Sequence, residues 1–127
     1  MRIKLFAMLA SAAFATTASA QAEPDVPRDG TWSATISTVD GKQQVSRLVL
    51  REFSGTWYGT VGAKRACQGR RFPVTVQQSN ASGLAFTVWG DAVAPTCANL
   101  TIELKPIADT LFEGTVESVG TIKLVRR

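Results

Sequence analysis

The chain has 127 residues, 14 basic against 10 acidic side chains, a formal net charge of +4 and no histidine. That length suits one small domain, and so mild a charge does not call for a nucleic-acid partner. Without histidine the usual neutral-pH proton shuttle and the commonest metal ligand are both missing, so no catalysis, cofactor or metal centre is expected.

Arg2 and Lys4 head an apolar run from Leu5 to Ala15, broken only by Ser11, and Ala18-Ser19-Ala20 follows as a small-residue cleavage site. This layout predicts a secretory signal peptide over 1–20, cut after Ala20. The run is too short and too alanine-rich for a spanning helix, and no later stretch approaches the roughly 18 apolar residues that one needs. Position 21 is Gln, not the Cys of a lipid anchor. Removing Arg2 and Lys4 from the 14 basic residues leaves a net charge near +2 against the 10 acids. The expected product is periplasmic or secreted, with 21–30, "QAEPDVPRDG", as a flexible leader and 31–127 as a β-barrel domain.

From Thr31 onward, large apolar residues recur at every second position in short runs, the pattern of strands with one dry face. The run 31–37 points Trp32, Ala34 and Ile36 inward, and 45–52 points Leu48 and Leu50 inward with Arg47, Val49 and Arg51 outward. The run 56–62 aligns Trp57, Gly59 and Val61, and 71–78 aligns Phe72, Val74 and Val76. Leu84, Phe86 and Val88 line up in 83–90, and Leu100, Ile102 and Leu104 in 99–106. Phe112 and Val116 follow in 110–117, then Ile122 and Leu124 in 120–126.

Turn residues separate the runs, as in "VDGK", "FSG", "SNASG" and "ESVG". Connections this short join antiparallel neighbours. The fold class is therefore all-β. An eight-stranded antiparallel up-and-down barrel leaves no exposed edge; the alternative is a two-sheet sandwich.

An even pair of cysteines, Cys67 and Cys97, in an exported chain reads as a disulfide, which leaves no thiolate to act as a nucleophile. In an up-and-down barrel, loops alternate between the two ends. The loop after strand three and the loop after strand five then share an end, and the bridge fits the topology.

Two stretches resemble known barrels. "DGTWSATIS" carries the Gly-x-Trp that opens the first strand of lipocalin-like and avidin-like proteins, and "REFSGTWYGTVG" resembles the third strand of avidin and streptavidin. "GLAFTVWGD" is loosely similar to their fifth strand. The resemblance implies the scaffold, and it implies that Arg126 or Arg127 packs over Trp32 as a cation–π contact. It does not extend to biotin. Ser33 and Ala34 stand after Trp32 where those proteins place a ligand-binding polar group, Trp57 replaces a tyrosine, and the last strand has no acid.

The inward set is apolar and bulky, which predicts a filled interior, with a small pocket near Ala34, Gly59 and Gly114 as the alternative. Glu52, Glu103, Glu113 and Glu117 fall at outward or strand-end positions, with no spacing that suggests a catalytic pair. Lys64, Arg65, Arg70 and Arg71 cluster around Cys67, and Tyr58 and Trp89 are outward aromatics nearby. These six residues form the expected rim site for a small or anionic ligand of the envelope or extracellular space. The competing expectation is a protein that uses rigid loops to inhibit a secreted hydrolase.

Overall fold

Period-two patterning becomes a sheet in the computed structural model of the protein, which describes residues 23–127; the signal peptide expected over 1–20 lies outside the described residues. The strands are β1 (Gly30–Thr38), β2 (Gln43–Arg51), β3 (Ser54–Gly59), β4 (Arg70–Asn80), β5 (Gly83–Val88), β6 (Leu100–Ala108), β7 (Leu111–Val116) and β8 (Gly120–Arg126). Each pairs antiparallel with the next, and β8 pairs back onto β1 from Trp32 opposite Arg126 to Thr38 opposite Gly120. The sheet is thus a closed up-and-down barrel, and the sandwich is set aside. Closure satisfies the edge hydrogen bonds that an open sheet would leave unpaired.

Every inward residue read from the alternation of large side chains is buried, from Trp32 on β1 to Leu124 on β8. Trp32, Trp57, Phe72, Phe86 and Phe112 are fully buried. The Trp32 and Phe112 rings meet edge to face at 5.5 Å, and Trp57 and Phe86 lie 6.4 Å apart. Aromatic pairs favour such tilted contacts because the edge of one ring faces the negative face of the other. The interior is filled by these side chains.

The ladder departs from strict alternation at two places. Between Val76 and Gln78 the β4–β5 register shifts, which turns Ser79 inward and leaves Gln78 exposed. A second shift lies between Pro106 and Ala108 on β6, where proline has no N–H to give to the ladder. The third run, expected to reach Gly62, ends at Gly59 where the chain leaves for the loop to β4. Val61 stays buried there and donates its N–H to the Cys67 carbonyl at 3.0 Å.

Residues 23–29 of the expected leader lie across the barrel end that carries the β2–β3, β4–β5 and β6–β7 turns. Val26 donates its N–H to the Ser79 carbonyl at 2.8 Å, and Arg28 donates to the Asn80 carbonyl at 3.2 Å. The Arg28 guanidinium lies 4.8 Å over the Phe112 ring, and its carbonyl accepts the Trp32 indole N–H at 2.9 Å. On the same end Arg126 lies 4.4 Å over Trp32 and donates to the Asp29 carbonyl at 2.8 Å. Of the two basic residues expected over Trp32, Arg126 occupies the position.

Candidate binding surface

At the opposite end, Cys67 and Cys97 join the β3–β4 and β5–β6 loops, with Cα atoms 5.6 Å apart. Both half-cystines are buried under the loops they connect. Each loop is also braced internally. A 3-10 turn at Arg65–Cys67 is closed by the Cys67 N–H on the Lys64 carbonyl at 2.9 Å, and the Gln68 side chain donates to the Ala63 carbonyl at 2.9 Å. Across the bridge, a second 3-10 turn spans Gly90–Ala92, where Asn99 exchanges hydrogen bonds with Asp91 at 3.1 and 3.2 Å.

This framework carries the cations expected at the rim. Lys64 and Arg65 are exposed on the β3–β4 loop, and Arg70 and Arg71 are exposed at the start of β4. Arg70 stands opposite Gly59 and Arg71 opposite Tyr58. Among the described residues, the ion pairs are Lys42 with Asp40 and Lys123 with Glu113, so none of these four cations is neutralised by a carboxylate. Asp40 belongs to the same end of the barrel, but its charge is engaged in its own hairpin. The Thr38 hydroxyl, then the Lys42 N–H and charge, hold its carboxyl below the ordinary range against a smaller cost of desolvation.

The structure draws Tyr58 and Arg71 together and adds a residue not expected at the site. Arg47 on β2 stands opposite Tyr58, with its guanidinium 4.4 Å from the ring centroid; Arg71 approaches from β4 at 5.5 Å. The row Arg47–Tyr58–Arg71 thus runs across three strands on the outer wall below the rim. Its signal in the sequence was the register: the tight β2–β3 turn sets Arg51 opposite Ser54 and therefore Arg47 opposite Tyr58. Trp89 lies on the far side of β4, where its indole N–H donates to Thr75 at 3.0 Å and the residue is 36% exposed. It is part of the wall rather than of the Tyr58 cluster.

The alternative pocket inside the barrel is absent from its expected place. A side chain at Gly59 would meet the Ser46 hydroxyl at 2.1 Å, and one at Gly114 would meet the Glu103 carbonyl at 1.8 Å. Close packing uses the room those glycines leave. A depression of about 350 Å³ does open at the disulfide end, floored by Ile36, Val61 and Leu100 and edged by Gln44 and Ala63.

No family model matches the chain, and no curated protein matches it. Among solved structures, a redesigned beta barrel is similar, with a TM-score of 0.49 and 17% identity over 78% of this chain and 90% of that one. Among the described residues, no helix is long and apolar enough to cross a membrane.

Proposed function

We propose that this protein is an exported, non-catalytic binding module that captures an anionic ligand of the envelope or extracellular space at its disulfide-pinned rim. Export rests on the three-part N-terminus and cleavage after Ala20, and the scaffold is read as lipocalin-like or avidin-like on the Arg126–Trp32 contact. One observation carries the binding reading: Lys64, Arg65, Arg70 and Arg71 are exposed, without a carboxylate partner among the described residues, beside one crosslinked loop. A cation cluster held on a rigid frame attracts anions without first ordering its own backbone.

A second reading is an inhibitor or interaction protein for a secreted hydrolase, supported by the filled interior and the two braced loops at one end. Pull-down from envelope extract, with and without protease treatment of the extract, separates the two. Under the first reading, capture of anionic material survives protease treatment and falls when Arg70 and Arg71 are both replaced by Ser. Undiminished capture by the folded double variant removes the rim from consideration, and capture lost to protease favours the hydrolase partner.

A further inference from the structure

We propose that the outer wall of β2–β4 is a docking surface for an anionic polysaccharide, with Arg47 and Arg71 as two guanidinium forks spaced by Tyr58. This rests on the anion-binding reading above and names the ligand class and the residues beneath the rim that would grip it.

Two cross-strand rows on opposite walls have the same layout and different charge. On one wall, Lys105, Glu113 and Lys123 stand side by side on β6, β7 and β8, and the central carboxylate pairs with Lys123 at 3.7 Å. On the other wall, Arg47, Tyr58 and Arg71 stand side by side on β2, β3 and β4, with an aromatic ring in place of the acid. Both guanidiniums lie over the ring, at 4.4 and 5.5 Å from its centroid, and the ring attracts them without cancelling their charge. A guanidinium held against a ring is still a donor and has less rotamer freedom to lose when it meets an oxyanion. The outward positions of β2–β4 include Arg51 as well, and no acid.

Neighbouring groups favour a sugar polymer. Ser33 and Thr56 place hydroxyls beside the row, and Trp89 exposes an aromatic surface one strand away. A polysaccharide carries oxyanions at intervals along a hydroxyl-rich chain, which suits two guanidiniums on either side of a phenol across three strands of the outer wall. A nucleic acid calls for a larger net charge than about +2. A membrane surface calls for a cluster of bulky apolar anchors, whereas beside this row β2 presents Val45 and the half-buried Val49, and Trp89 stands apart from them beyond β4.

The test measures binding of the whole exported protein to dextran sulfate, polygalacturonate, neutral dextran and polyglutamate, with unfolding curves recorded for every variant. The protein is expected to bind one or both anionic polysaccharides and not neutral dextran. Arg47→Lys keeps the charge and loses the fork, and should weaken binding roughly tenfold. Lys105→Gln, on the balanced wall, should bind as the parent does. Uronate binding should fade as pH drops through the carboxylate range near about 4, whereas sulfate binding persists, which separates the two oxyanion sources.

Unchanged affinity in a folded Arg47→Lys variant overturns the inference; if Lys64→Ser/Arg65→Ser then abolishes binding, the rim reading stands without it. Binding of polyglutamate but neither polysaccharide overturns it in favour of an acidic protein partner. Failure to bind any of the three polyanions overturns the inference, while the rim reading stands or falls on the pull-down with the Arg70→Ser/Arg71→Ser variant.

Discussion

Gly59 and Ser46 show how single side chains set the inner surface of this barrel. Ser46 is a buried hydroxyl on β2, at an inward position between apolar neighbours, and it fills the space that Gly59 leaves open on β3. An alanine at 59 would place its Cβ 2.6 Å from the Ser46 Cβ, well inside contact distance. Gly59→Ala should therefore destabilise the protein by about 1–3 kcal/mol through overpacking, to which the backbone strain of a side chain at φ +159° adds. Ser46→Gly removes the opposing atoms, so the double variant should be more stable than the sum of the two single effects allows. Urea unfolding of all four proteins checks this, and strict additivity would show that the two residues do not meet. The same scale explains why Ser46 escaped notice in the sequence: a small polar residue on an inward parity looks like a break in the apolar pattern.

The two crosslinked loops are the element on which the candidate site depends. Their bridge closes a segment of 30 residues. Restricting the unfolded chain over that length contributes about 3–4 kcal/mol. Reduction, or the Cys67→Ser/Cys97→Ser variant, should lower the urea unfolding free energy by that amount and weaken anion capture at the rim. Capture unaffected in a variant that is folded but destabilised would place the ligand lower on the wall. The wall itself is governed by a different element, the β2–β3 hairpin, because a one-residue slip there would turn Tyr58 inward and separate it from both arginines.

At the scale of the whole molecule, closure and filling act together. Eight strands enclose a lumen that large side chains can occupy completely, and here two tryptophans and three phenylalanines occupy it without exposure. Of the three tryptophans, only Trp89 reaches solvent. Acrylamide should quench one component of the native fluorescence, and Trp89→Phe should remove that component. Continued quenching in the variant would reveal water access to Trp32 or Trp57 and an interior open enough for a ligand. Under the binding reading proposed above, a filled lumen leaves the mouth and the outer walls, where stand the cations that have no carboxylate partner among the described residues.

Alternation of large apolar residues from Trp32 to Leu124 determined the all-β class, the strand count and the large apolar side chains of the core, because period-two burial depends only on the local pleat. The spacing of Cys67 and Cys97 determined that their loops share an end, since that follows from strand order alone. Partners across the sheet are another matter. That Arg47 and Arg71 both lie over Tyr58, that Ser46 packs into Gly59, and that Arg28 and Arg126 cover Phe112 and Trp32 were decided by register, bulges and the path of residues 23–29. Those features depend on contacts between residues distant in the chain, and only the closed tertiary structure brings them within reach.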